Sequence, residues 1–277
     1  MALTLSYRAD TSVPVEIEGL TPEAVRGSSL DEIRRFEIFH GNEKLSLGQM
    51  FDLKGDAADG RFDFEGDLSG VHWIGAQMSE GQIHIHGNGG RHIGSEMSGG
   101  EIHVEGDAGG WAGCEMRGGL IHVQGRAGHL AGAAYRGSPQ GMTGGTILIE
   151  GDAGDEVGLS MRRGTIAVGG RVGDVVGFNM FAGSIVVLGD CGIRPGAGMR
   201  RGTLLLLGPE PPTLLPSFRY DCTARPQILP LIVSHLNRLG MNIEQQLLER
   251  PLEHYHGDLV ALGRGEILLR HVGASIA

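Results

Sequence analysis

Apolar and polar positions alternate in short runs along this chain, and the runs recur. Aligned on a leading glycine, Gly81 to Gly99 reads GQIHIHGNGGRHIGSEMSG, Gly100 to Gly118 reads GEIHVEGDAGGWAGCEMRG, and Gly164 to Ala182 reads GTIAVGGRVGDVVGFNMFA. The period is 19 residues, with units opening at Gly60, Gly81, Gly100, Gly119, Gly145, Gly164, Gly183 and Gly202. The first unit carries two extra residues, the fourth carries seven, and the eighth is truncated. The shared pattern is G-x-I-x-V-x-G-D-x-G-x-x-V-G-x-x-M-x-G. Its opening alternation is the mark of a strand with one buried face. The glycines at fixed offsets mark corners where a Cβ would obstruct the turn.

A unit this short cannot bury its own apolar face, whereas stacked units can, because equivalent residues then superpose at the strand spacing. Two inward ladders follow by number: Phe62, Ile83, Ile102, Ile121, Ile147, Ile166, Ile185, Leu204, and beside it Phe64, Ile85, Val104, Val123, Ile149, Val168, Val187, Leu206. A third column, Met78, Met97, Met116, Met161, Met180 and Met199, reads as thioether core filling. These patterns predict an all-β fold, a parallel β-helix forming a single-stranded solenoid of about seven 19-residue coils over 60–210. Small α/β caps are expected at both ends, over 1–59 and 211–277. The first carries an alternating strand at Val13 to Ile17, a short helix capped by Thr21 with Pro22 at its first position, and a turn at His40-Gly41-Asn42. The second carries a helix over Ile228 to Leu239 ending at Gly240, then a hairpin of Leu259 to Leu262 and Glu266 to Leu269.

Function has to come from the outward columns. The fourth position of the units reads Asp63, His84, His103, His122, Leu148, Ala167, Val186, Leu205, and the sixth reads Glu65, His86, Glu105, Gln124, Glu150, Gly169, Leu188, Leu207. The outer face therefore turns from polar to apolar along the stack. Leu148, Val186, Leu188, Leu205 and Leu207 need a cover, either the chain's own C-terminal helix or a partner subunit. His84, His86 and His103, with His122, pose a metal hypothesis. Side chains in one column leave a sheet in parallel and do not converge on a tetrahedral centre, so no metal site is expected. Arg117, Arg136, Arg162, Arg163, Arg200 and Arg201 form a ridge near the unit's end, whose planar forks suit the carboxylates of a partner or of an anionic cofactor tail. The competing reading is a solvated corner balancing Asp67, Asp107, Asp152 and Asp190.

Composition narrows the classes. The 277 residues include 49 glycines, which a helix bundle would not tolerate. Asp and Glu outnumber Lys and Arg by 33 to 23, a net charge of -10 that argues against nucleic acid as a partner. No window approaches the length of a membrane span, and no leader pattern opens the chain, so a soluble, cytoplasmic protein is expected. The three cysteines, Cys114, Cys191 and Cys222, stand at unpatterned positions, as in a reducing compartment. The glycine-rich corners lack the strand-to-helix context and lysine of a phosphate loop, and no nucleophile elbow is present. No catalytic residue is expected.

The glycine-punctuated unit, the segment VPVEIEGLTPEAV at 13–25 and the closing YHGDLVALGRGEILL at 255–269 together resemble the C-type subunit of formylmethanofuran dehydrogenase, over essentially the whole chain. The repeat alone is also similar to the C-terminal domain of the glutamate synthase large subunit, and that likeness implies a right-handed β-helix serving as a spacer. The resemblance to the C-type subunit implies a non-catalytic scaffold within a complex. In the bacterial form, the formyltransferase/hydrolase complex, formyl moves from tetrahydromethanopterin to a methanofuran analogue and leaves as formate; the arginine-heavy basic composition favours this form. In the archaeal form the chemistry runs on molybdenum or tungsten pterin and iron-sulfur centres of other subunits. Implied partners are formyltransferase, amidohydrolase-like and dehydrogenase-like subunits, with no cofactor held stably here and the metal on another subunit. The carrier resembles one with a polyglutamate tail, which makes the arginine ridge a docking track to test. A glutamate-synthase-like spacer and a His-dependent metalloenzyme, like the gamma-class carbonic anhydrases, remain as readings from other classes.

Overall fold

The computed structural model describes residues 2–244, 247 and 249–271. Its strands are β1 (Leu3–Tyr7), β2 (Val15–Glu16), β3 (Glu37–His40), β4 (Glu43–Ser46), β5 (Phe51–Lys54), β6 (Arg61–Glu65), β7 (Val71–His72), β8 (Gln82–His86) and β9 (Glu101–Val104), continuing with β10 (Leu120–Val123), β11 (Thr146–Ile149), β12 (Thr165–Val168), β13 (Ser184–Val187), β14 (Arg201–Leu206), β15 (Arg219–Ala224), β16 (Leu252–Gly257) and β17 (Arg264–Arg270). Three helices, α1 (Leu30–Arg34), α2 (Leu47–Met50) and α3 (Leu229–Arg238), complete the described elements.

The strand pairing corrects the expected architecture. Instead of a right-handed parallel β-helix of seven coils between separate α/β caps, the strands form one open thirteen-stranded mixed sheet, ordered β15-β16-β17-β14-β13-β12-β11-β10-β9-β8-β6-β1-β5. A second sheet of four strands runs β4-β3-β2-β7. Two physical reasons account for the difference. Apart from the two-residue β7 of the first unit, only the opening four or five residues of each repeat are extended; the rest is turns, touching neighbouring repeats through single-residue bridges such as Gly89 to Ala108 to Ala127, so no further long sheet develops. The flanks also carry alternating strands of their own, and these pair onto the repeat sheet: β1 runs parallel to β6 and antiparallel to β5, while β17 runs parallel to β14 and antiparallel to β16.

Inside the sheet the register is that of the repeat. Ile83 pairs with Ile102, Ile102 with Ile121, Ile121 with Ile147, Ile147 with Ile166 and Ile166 with Ile185, and all are fully buried. The six predicted methionines are buried as well, and Met142 joins them. Its carbonyl accepts from Arg162 N–H, as the Met161 carbonyl accepts from Phe181 and the Met180 carbonyl from Arg200. The seven-residue insertion of the fourth unit displaces Met142 in sequence but not in space.

Both flanks depart locally from expectation. Residues after Thr21 make turns, and the helix begins later at α1, where Ser29 and Glu32 form a capping box. The C-terminal helix is α3, with Gly240 beyond it at φ +107°. The hairpin exists, but its first arm is β16, and Leu259 to Leu262 form the connection to β17. Residues 272–277 of the expected C-terminal region lie outside the described residues.

Candidate functional site

The buried methionine column fixes where the arginines go. Arg162, Phe181 and Arg200 each follow a buried methionine, and each donates its backbone N–H to the carbonyl of the methionine one rung earlier, at 2.8, 2.7 and 2.8 Å. The three side chains thus stand on successive rungs. The guanidinium carbons of Arg162 and Arg200 lie 4.2 and 4.4 Å from the Phe181 ring centroid, so both cations rest on the aromatic ring. Arg163, Ala182 and Arg201 occupy the next position along the same rungs. With Leu262 from the β16–β17 connection they enclose an open groove of about 410 Å³.

Within this groove the charge is uncompensated. Among the described residues none of Arg162, Arg163, Arg200 and Arg201 forms an ion pair with a carboxylate. Arg162 reaches only the Pro139 carbonyl at 3.4 Å, and its Nε is buried without a partner. Four guanidinium forks without a carboxylate partner can bind carboxylate or another planar anion in bidentate fashion. The other two predicted arginines lie elsewhere. Arg117 pairs with Glu96 at 3.3 Å, and Arg136, on the insertion, lines a separate cavity of about 400 Å³ with Arg91, Trp111 and His129.

The histidine column does not converge on one point: His84 stacks on His103, and His122 meets His103 edge-on. The His84 and His103 rings are 4.9 Å apart at 23°, and His103 and His122 are 5.9 Å apart at 61°. His86 Nδ1 lies 2.9 Å from Glu105, and His122 Nε2 lies 2.8 Å from Glu150. Burial, then Arg61 and His103, push the His84 pKa below its ordinary value. Among the described residues no group of three or more His, Cys, Asp or Glu is placed to hold a metal ion.

The outward apolar column is covered from within the chain. Leu148, Val186, Leu205 and Leu207 are buried against Leu229, Val233 and Leu236 of α3, with Leu188 partly buried beside them. The chain's own helix covers Leu148, Val186, Leu205 and Leu207, while Leu188 stays partly exposed at its edge.

Two features escaped the sequence reading. Trp73, His92 and Trp111 share one offset in the repeat and stack on left-handed corners, Trp73 on His92 at 4.0 Å and His92 on Trp111 at 5.2 Å. Tyr135, carried in by the insertion, leans against His92 at 5.8 Å. Burial, then His72 and Arg91, push the His92 pKa down to about 4. The shared offset was the available signal. The other is the β16–β17 connection, whose anchor Asp258 is buried. Burial alone would raise its pKa, but hydrogen bonds from Gly198, Val260 and Ser217 hold the carboxyl below its usual range.

The glycine-cornered rungs place this chain in a class seen elsewhere: residues 70–214, just over half of it, match the family model described as the GXGXG motif. In the crystal structure of the formyltransferase/hydrolase complex (FhcABCD) from Methylorubrum extorquens with methylofuran, one chain is 36% identical, with a TM-score of 0.89 over 97% of this chain and 99% of that one. The C-type subunit of the tungsten-containing formylmethanofuran dehydrogenase 2 from Methanothermobacter thermautotrophicus is 38% identical over 90 residues, 31% of this chain and 33% of that relative. Its counterpart in the molybdenum-containing formylmethanofuran dehydrogenase 1 of the same organism is 41% identical over 91 residues, 32% of this chain and 23% of that relative. The chain belongs to the family of formylmethanofuran dehydrogenase C-type subunits. The matched segments span a third or less of these two curated relatives.

Proposed function

We propose that this chain is the C-type subunit of a formyltransferase/hydrolase complex and acts there as a non-catalytic assembly element. The observation that carries the reading is the likeness to one chain of the methylofuran-bound complex over 97% of this sequence. The other subunits, of formyltransferase, amidohydrolase-like and dehydrogenase-like type, perform the transfer of formyl from tetrahydromethanopterin to a methanofuran-type carrier and its release as formate. The metal resides on one of them. This chain supplies a rigid body, cytoplasmic in location, with a carboxylate-binding groove at Arg162, Arg163, Arg200 and Arg201. The paired guanidinium groups on Phe181 support that role, since the ring holds them in place while, apart from one Arg162 bond to the Pro139 carbonyl, their donors face the groove.

Co-expression with the remaining subunits tests the proposal. The expected result is a stable complex that releases formate from formyl-tetrahydromethanopterin in the presence of the carrier, while the chain alone releases none. Turnover by the isolated chain, or failure to co-purify, would refute it. A dehydrogenase complex of the archaeal type is the second reading, favoured by the tungsten- and molybdenum-containing relatives; molybdenum or tungsten in the purified native complex would select it.

A further inference from the structure

Beside the arginine groove the β16–β17 connection presents Leu259, Val260, Ala261 and Leu262 to solvent, with Leu259 49%, Val260 86% and Leu262 48% exposed. Consecutive apolar side chains facing water cost hydration free energy that a polar loop would avoid. The loop is nevertheless pinned. Asp258 Oδ2 accepts from Gly198 N–H at 3.0 Å and Oδ1 from Val260 N–H at 2.9 Å. The Asp258 carbonyl accepts from Ala261 and Gly263 at 3.0 and 2.9 Å, Asp258 N–H donates to Met199, and Leu259 N–H donates to Ser217. A knob fixed this firmly loses little conformational freedom on docking.

Leu262 also lines the groove with Arg162, Arg163, Arg200 and Arg201, so knob and cationic cleft form one continuous surface. We infer that this surface docks a neighbouring subunit that offers an apolar pocket for Val260 rimmed by carboxylates for the four arginines. The inference rests on the assembly role proposed above and names the chemistry of the partner face. A second copy of this chain fits poorly, because a two-fold contact through this surface would set arginine against arginine. An anionic membrane fits poorly as well, since the chain's net charge of -10 opposes its approach.

The test uses the co-expressed complex with wild-type chain, Val260→Asp, Arg200→Glu, and Leu231→Asp on the exposed face of α3 as control. Val260→Asp and Arg200→Glu should each weaken incorporation by about tenfold or more, as for the centre of an interface, with unchanged melting of the isolated chain, while the control assembles normally. Hydrogen exchange over residues 258–263 should slow on assembly. If the wild-type chain fails to assemble, both the assembly role and this inference fall. If it assembles while both variants match it, or exchange over 258–263 does not change, only the inference falls. Two further results would overturn it: Val260-dependent sedimentation with phosphatidylserine vesicles, or binding of oligo-γ-glutamate that Arg200→Glu abolishes while assembly stays intact.

Discussion

Gly132→Ala should be among the costlier single-methyl changes in the chain. Gly132 lies in the left-handed region at φ +65°, and a Cβ there would sit 2.5 Å from Ile166 Cδ1 and 3.4 Å from Ile147 Cδ1. The isoleucine ladder thus seats the tip of one side chain in the notch that a glycine leaves. The backbone contribution for a residue with a Cβ is about 1–2 kcal/mol, and overpacking a full core adds about 1–3 kcal/mol, for a loss of about 2–5 kcal/mol. Two glycines separate the contributions. Gly137, at φ +88° with nothing within 4 Å of a Cβ, isolates the backbone part, so Gly137→Ala should cost about 1–2 kcal/mol. Gly27 has ordinary φ and open space, and Gly27→Ala should be neutral or stabilise by up to about 1 kcal/mol. Ile166→Val removes the clashing Cδ1 at a cost of about 0.5–1.5 kcal/mol alone. Combined with Gly132→Ala it should recover about 1–3 kcal/mol as coupling. Urea unfolding at 25 °C, followed by circular dichroism and by the fluorescence of Trp73 and Trp111, measures each term and checks that the transitions coincide. Equal losses at 132 and 137, or strict additivity of the double variant, would refute the notch.

Acid should destabilise the fold through His92. Its folded pKa of about 4 lies below the ordinary 6.5, so the unfolded chain binds the extra proton first and stability falls as pH drops from about 6.5 toward 4. The loss is on the order of 1–3 kcal/mol, and His92→Phe, which keeps the stack but cannot charge, should flatten that slope in pH-dependent melting; an unchanged slope would clear His92. His72 and His84, shifted in the same direction, leave a residual dependence. Thiol reactivity should sort by position. Burial pushes the Cys191 pKa up to about 12 and raises that of Cys114 further, while Cys222 is exposed. A disulfide reagent at pH 8 should titrate Cys222 alone in the native chain and all three cysteines after denaturation; rapid reaction of a second thiol would contradict the burial.

How much could be read in advance divides along the repeat. Wherever 19-residue periodicity holds, each residue's neighbour is its own equivalent, so the isoleucine, valine and methionine columns and their register were legible by counting. Met142 was missed because the insertion moves it off the count while the hydrogen bonds return it to the column. The architecture was misjudged for a different reason. Pairing of β1 with β5 and β6, or of β17 with β14, joins segments with no common offset, and nothing local says whether an alternating flank caps a sheet or extends it.

The same division applies to function. The arginines shared an offset, and the repeat did align Arg162 with Arg200 across Phe181. Periodicity could not tell that Arg117 would be neutralised by Glu96 or that Arg136 would ride away on the insertion. Nor could it supply Leu262, which reaches the groove, or Val260 beside it, both on a loop tied down by Asp258 to Gly198. Columns dictated by the repeat are satisfied by stacking within the chain: inward residues against their equivalents, the outward apolar face against α3. At the groove and the neighbouring loop, guanidinium groups without a carboxylate partner and apolar side chains without cover coincide. Water solvates both in the isolated chain, so their free-energy gain on docking is still available, and the proposed docking surface lies where the repeat meets a segment outside it.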